Sequence, residues 1–194
     1  MIKLHTLLIF CLSLLLSGCH EAPAFKSTDI TGADWGKDFA LTDHQGKARR
    51  LGDFKGKVVL LFFGYTQCPD VCPTTLASMR DVLQQLGESA GDVQVVFVTL
   101  DPLRDTPPVL AEYVRAFHPG FIGLYGDEAR TAATARDFKV FYVKHPGTQP
   151  GSYSIDHSTG SYAFDRQGRL RLLIRHGEAI DNVAADLRRL LAGR

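Results

Sequence analysis

Cysteine is scarce in this sequence: there are four among 194 residues, and two of them, Cys11 and Cys19, stand near the amino terminus. The remaining pair, Cys68 and Cys72, is too small a set for a disulfide scaffold. An excess of one charge is also missing. Lys and Arg number 22 against 21 Asp and Glu, so the electrostatic footprint of a nucleic-acid binder is absent and nucleic acid is excluded as a partner. Nine prolines and 18 glycines, scattered along the chain, rule out collagen-like and broadly disordered classes. There is no internal repeat and no low-complexity tract. What is present is 45% hydrophobic and 22% charged, an ordinary globular composition long enough for one main domain with a full core.

Only one long apolar run occurs. Leu7 to Leu16 reads LLIFCLSLLL behind a positive Lys3, the pattern of a signal-peptide core. The run is short of the roughly 20 apolar residues that span a bilayer. Leu16-Ser17-Gly18-Cys19 follows it and resembles the lipobox of bacterial lipoproteins. Residues 1–18 are therefore expected to be a lipoprotein signal peptide, with Cys19 as the lipidated residue. Cleavage would remove Lys3 and no acid, leaving 21 charges of each sign. An uncleaved anchor is the alternative, and either arrangement puts the domain outside the cytoplasm, on the periplasmic face of a bacterial cell envelope. His20, rather than Asp, after the cysteine does not ask for inner-membrane retention. Residues 19–34 are polar and aperiodic and are expected to be a flexible membrane tether. The fold is expected to occupy 35–194.

Within that domain the elements alternate. Phe39 to Leu41 and Ala48 to Leu51 flank the turn-rich Asp43-His44-Gln45-Gly46, a hairpin signature. Lys57 to Phe63 and Val93 to Leu100 are continuous β-branched and aromatic runs, as in strands buried on both faces. Between them Leu76, Met79, Leu83 and Leu86 recur at helical spacing behind Pro73, which the first turn of a helix tolerates. Further helices are predicted over 107–117 and 127–138, with strands around 140–143, 162–165 and 170–175. A terminal amphipathic helix carries Ile180, Val183, Leu187, Leu190 and Leu191. The fold class expected is α/β, a thioredoxin-like sandwich with a central mixed sheet and an N-terminal β-hairpin extension.

The chemistry is expected at the end of the first buried strand, where the chain reads Gly64-Tyr65-Thr66-Gln67-Cys68-Pro69-Asp70-Val71-Cys72-Pro73. Thiols at i and i+4 share a helical face, and a helix amino terminus lowers thiol pKa. A structural disulfide is permitted in an exported protein, but so small a loop would stabilise little. Redox dithiols of thioredoxin type carry a two-residue spacer, whereas this pair has three. Two soft thiolates joined by an imidazole suit copper(I). Among the histidines, His5 leaves with the signal, His20 and His44 are expected in solvent, and His118 and His176 stand at element ends. His145 is a serious competitor. His157 is the better candidate, because it precedes the strand over 162–165, the segment that faces the cysteine site in thioredoxin-like folds. The cis-proline usual there is missing, since no proline follows Pro150.

Three blocks then occur in order: the cysteine segment, Asp101-Pro102-Leu103-Arg104-Asp105-Thr106-Pro107, and Asp156-His157 ahead of an Asp-x-x-Gly turn at Asp165 to Gly168. Together they resemble the Sco/SenC family of membrane-tethered copper proteins that assist cytochrome c oxidase assembly. The resemblance implies one copper per chain held by Cys68, Cys72 and His157, as Cu(I) in a three-coordinate site or Cu(II) with a further oxygen ligand. Asp156 is the candidate for that oxygen or for orienting His157, with Asp70 the weaker alternative. Just after the second buried strand, where α/β sheets place functional crevices, Arg104 and Asp105 could frame the site or a partner surface. The local alternative, that Asp101 and Asp105 cap their loop and the next helix, is favoured, which leaves Arg104 as the candidate for a partner surface. The implied activity is non-enzymatic copper delivery to the copper-A subunit of cytochrome c oxidase. It requires an upstream copper donor and a thiol reductant, because a Cys68–Cys72 disulfide would abolish the site. The competing reading is a thiol-disulfide oxidoreductase acting on the copper-A cysteines. A zinc site with an open position and a peroxidase are weaker.

Overall fold

The computed structural model describes residues 24–194. The signal segment, Cys11, Cys19 and the first part of the expected tether lie outside them. Ten strands and four α-helices follow one another: β1 (Thr28–Asp29), β2 (Leu41–Asp43), β3 (Ala48–Arg49), β4 (Val58–Gly64), α1 (Val71–Leu86), β5 (Val93–Thr99), α2 (Pro107–Phe117), β6 (Ile122–Tyr125), α3 (Glu128–Asp137), β7 (Tyr142–Pro146), β8 (Tyr153–His157), β9 (Ser161–Phe164), β10 (Leu170–Ile174) and α4 (Ile180–Leu191). Eight strands form one mixed sheet in the order β1-β10-β9-β4-β5-β6-β2-β3. β4, β5 and β6 are parallel, and β9 lies antiparallel against β4. This is the expected α/β sandwich with a hairpin, β2–β3, at one edge.

The central strands read as unbroken apolar runs because both of their faces are covered. Alternate residues of β4 serve different cores. Val58, Leu60 and Phe62 join Val95 and Phe97 of β5 beneath α1, α2 and α4, where Leu76, Leu83, Leu110, Val114, Leu187 and Leu190 pack. Val59, Leu61 and Phe63 join Val96 and Val98 on the opposite face, under Phe39, Ala135 and Phe138. No helix among the described residues is long and apolar enough to cross a membrane.

Two tight turns repeat one device. Asp43 accepts from the backbone N–H groups of Gln45 and Lys47 and pairs with Arg49, and Asp165 does the same with Gln167, Arg169 and the Arg169 guanidinium. Gly46 (φ 86°) and Gly168 (φ 77°) supply the left-handed residue each turn requires.

Three expectations need correction. The domain begins before Trp35: the N–H groups of Lys26 and Ser27 donate to the buried Asp186 carboxylate of α4 at 2.8 and 2.7 Å, and β1 pairs with β10. A polar, aperiodic stretch conceals this because backbone groups, not an apolar stripe, make the attachment. β6 is absent from the sequence-based elements, being only four residues between glycines. Finally, the strand expected near 140–143 does not join the central sheet. It is β7, and it pairs with β8 in a separate two-stranded ribbon, from Tyr142↔His157 to Pro146↔Tyr153. β8 occupies what the sequence presents as a loop.

Candidate metal centre

β4 delivers the chain to the site, and its last residue must be glycine. A Cβ on Gly64 would lie 2.7 Å from Cys72 Sγ and 2.9 Å from the Phe97 ring. The chain then turns, with the Cys68 N–H donating to the Tyr65 carbonyl, and enters α1 at Val71. Pro73 lies in the first helical turn, where N–H groups have no intrahelical acceptor. Only Cys72 is on the helix. Cys68 precedes it, and its Sγ accepts from the Cys72 N–H at 3.4 Å, so the pair converges because a sulfur occupies a capping position and not because both residues share a helical face. Cys72 is fully buried, Cys68 is half-buried, and both thiols are free.

The third group arrives on the ribbon. Along β8, Ile155 points into the core at 3% exposure and Asp156 points out. His157 therefore returns to the inner side, half-buried, with Nε2 3.4 Å from Cys72 Sγ. Its Nδ1 lies 2.8 Å from the Ser158 carbonyl, which can only accept, so Nδ1 carries the proton and Nε2 keeps a free lone pair toward the sulfurs. The rings of Phe62 and Tyr65 stand edge-on at 6.0 and 6.1 Å from the imidazole. Ligand atoms of Cys68, Cys72 and His157 all lie within 4.8 Å of one another. Two sulfurs and one imidazole nitrogen form a soft donor set for one ion.

Electrostatics modify the sequence-based reading of activated thiols. Burial pushes the Cys72 thiol well above its ordinary value, overriding the helix terminus, with Cys68 and the Asp105 carboxylate adding to the rise. Burial likewise lowers His157, so the imidazole stays neutral. The metal-free centre thus holds a protonated thiol against a neutral imidazole, and a metal must displace the Cys72 proton.

Two acids stay away. The Asp156 side chain is 76% exposed and pairs with His145 Nε2 at 3.1 Å across the outer face of the ribbon. This accounts for His145 as well, which is not a ligand. Asp70 is exposed at the helix N-cap and belongs to no convergent group among the described residues. Strand alternation, which a loop reading of 153–157 hides, puts Asp156 and His157 on opposite sides.

The Asp101 to Pro107 block differs from its expected role. Asp105 does not cap α2. It is fully buried and accepts from the Thr66 N–H at 3.0 Å and from the Thr66 and Thr99 hydroxyls at 2.6 Å each, pinning the loop that precedes Cys68. Asp101, also fully buried, accepts from Arg104 Nε and, at 2.5 Å, from the Tyr153 hydroxyl. Arg104 is turned inward, its side chain 20% exposed, so it is not the surface group expected. Thr66, Tyr65 and Tyr153 are the functional neighbours that sequence reasoning missed, and Asp105, which it weighed both as a helix cap and as a residue framing the site, takes the second role. Their partners are remote in sequence, and no periodicity signals such pairs.

A family model described as SCO1/SenC matches residues 27–192. An SCO2-like protein of Rickettsia felis is 42% identical over 135 residues, covering 69% of this chain and 66% of its own length. The chain thus spans about two thirds of that relative. The structure of Bradyrhizobium japonicum ScoI with copper bound is 41% identical, with a TM-score of 0.73 over 79% of this chain and 98% of that one. The solution structure of apo Sco1 from Thermus thermophilus is 43% identical, with a TM-score of 0.78 over 88% and 99%. With a family model spanning nearly the whole described domain, and a Cys68, Cys72 and His157 cluster where the motif blocks meet, the chain belongs to the SCO1/SenC family.

Proposed function

We propose that this chain carries one copper ion on Cys68, Cys72 and His157 and delivers it to the copper-A site of cytochrome c oxidase during assembly. The observation that carries the reading is the convergence of two thiols and an unprotonated Nε2 within 4.8 Å. A related protein, Bradyrhizobium japonicum ScoI, has been solved with copper bound, which supports copper over zinc as the cargo. Exposure separates Cys72 from the two half-buried ligands, and the separate ribbon sets His157 apart from Cys68, which gives the exchange an order. An acceptor thiolate approaches at half-buried Cys68, His157 leaves with its ribbon, and Cys72, fully buried, releases last. Loading requires an upstream copper donor and a reductant that keeps both thiols free. The reading places the chain at the periplasmic face of the bacterial envelope, held by a lipid on Cys19.

An anaerobic copper(I) competition titration of the full-length chain, beside His157→Ala, tests this. One-to-one binding that weakens about 10- to 100-fold in the variant is expected. Weak binding indifferent to His157 would overturn it.

The same exposure difference supports a second reading. A Cys68 thiolate attacks an acceptor disulfide, and Cys72 then closes on Cys68, releasing the acceptor as a dithiol. That activity would survive His157→Ala unchanged.

A further inference from the structure

Among the described residues β7 and β8 pair only with each other, so the third ligand stands on a ribbon that shares no ladder there with the sheet bearing the cysteines. A small set of side chains joins the two. The Arg104 guanidinium donates from Nη1 to the Tyr153 carbonyl at 2.8 Å and from Nε to Asp101, and its carbon lies 3.5 Å from the centroid of the Tyr153 ring. The Tyr153 hydroxyl donates to the other Asp101 oxygen. Beyond this clamp, the Ile155 N–H donates to the Tyr65 hydroxyl at 3.3 Å, and the Tyr65 ring stands between Arg104, 5.8 Å away, and His157, 6.1 Å away.

The clamp is costly to keep. Asp101 is fully buried, and Arg104 Nη2 is buried with no hydrogen-bond partner among the described residues. Lysine could neither fork between a carboxylate and a carbonyl nor stack its head flat on a tyrosine. The Asp101 N–H donates to the Thr99 hydroxyl, which itself donates to the Asp105 carboxylate, and that carboxylate also accepts from the Thr66 N–H and hydroxyl ahead of Cys68. One rigid turn thus grips the ribbon through Arg104 and the cysteine loop through Asp105.

We propose that Arg104 is the positioning residue that fastens the His157 ribbon against the cysteine half of the site, and that its grip sets how firmly His157 serves as the third ligand. The inference rests on the copper reading for its consequence, though not for the latch itself. Loosening the latch releases His157 first and leaves a two-thiol site that an acceptor can empty.

The test uses the full-length chain carrying Arg104→Ala, Arg104→Lys or Tyr153→Phe, each with His157 present and in the His157→Ala background. Amide hydrogen exchange is measured on the metal-free protein and copper(I) affinity by competition. Arg104→Ala is expected to speed exchange across β7–β8, at Ile155 above all, while β4 and β5 keep their rates. Copper(I) affinity is expected to fall about 10- to 100-fold with His157 present, and by no more than about twofold in the His157→Ala background. Unchanged exchange in β7–β8 would overturn the latch. Equal losses of affinity in both backgrounds would overturn its action through His157. If the unmutated chain fails to bind copper, the carrier reading falls while exchange still decides the latch. Should Arg104→Ala not fold, Tyr153→Phe, which removes only the hydroxyl that reaches Asp101, carries the same comparison.

Discussion

The two halves of the metal centre differ in how the fold supports them. Cys72 sits on a helix laid over β4 and β5, which pair in parallel from Val58↔Val93 to Gly64↔Thr99 with nearly every residue buried. His157 ends a strand whose ladder, among the described residues, is with β7 alone, a strand of mostly exposed residues. Burial is what makes a region cooperative with the global fold, and regions with few buried contacts open locally. A carrier needs both properties at once. On the carrier reading proposed above, the buried cysteine half would hold its geometry while the histidine half lets go without unfolding the domain.

Paired core truncations are the sharpest way to break that comparison. Leu61→Ala empties a fully buried position on the sheet face opposite the site and should cost about 2–5 kcal/mol of stability, with copper affinity unchanged. Ile155→Ala truncates the ribbon's one deeply buried side chain and should cost about 2 kcal/mol, at the low end of that range because the ribbon can settle into the space. Its main effect should be weaker copper binding. Thermal unfolding and copper(I) competition on both variants check this, and equal stability losses would show that the ribbon is as cooperative as the sheet.

Two glycines sharpen the contrast at smaller cost. An alanine at Gly64 meets Cys72 Sγ and the Phe97 ring, atoms fixed in the core, whereas an alanine at Gly160 meets the far end of the Leu173 side chain at 2.8 Å. Gly64→Ala should therefore cost about 1–3 kcal/mol by overpacking and displace the sulfur, while Gly160→Ala should be absorbed by a Leu173 rotamer. Copper(I) affinity falling in the first and holding in the second is the expected pair of results.

The same division decides what was legible in the sequence. The buried strands announce themselves as KVVLLFF and VQVVFVT because burial on two faces leaves no polar alternation. Cys68, Cys72 and His157 were legible through residue type, spacing and family resemblance, and the structure brings the three together. The ribbon was not legible. Val143, His145, Ser154 and Asp156 line its outer face, so in β8 only Tyr153, Ile155 and His157 carry the inward period-two signal, and two of those are polar. With β8 read as loop, the opposite facing of Asp156 could not be deduced. Arg104 and Asp105 were singled out in the right block, but their long-range contacts, to Tyr153 and Thr66, were not legible because nothing along the chain signals them.

The smallest effect expected is a pH dependence shared by one histidine on the ribbon, His157, and one at the edge of the main sheet, His44. Burial lowers His157 below its ordinary 6.5, and burial, aided by Arg115, lowers His44, whose Nδ1 accepts from the Gly123 N–H at the β6 edge. Above 6.5 each imidazole is neutral in both the folded and the unfolded chain, and full stability is present. As pH falls below 6.5 the unfolded chain takes up protons that the folded chain refuses, so the unfolded state binds more protons and stability drops until pH passes the folded values. Metal-free protein should therefore lose stability on acidification from about pH 6.5, and His44→Gln and His157→Gln should each remove part of that slope. Amide exchange separates the two sources. Acid should loosen Ile155 and its ribbon through His157 while leaving Gly123 and Leu124 protected in His44→Gln, because a charged imidazole on an independent ribbon is expelled locally, whereas one at the sheet edge strains the whole ladder. Simultaneous loosening of both segments in that variant would show that the ribbon and the sheet edge open as one.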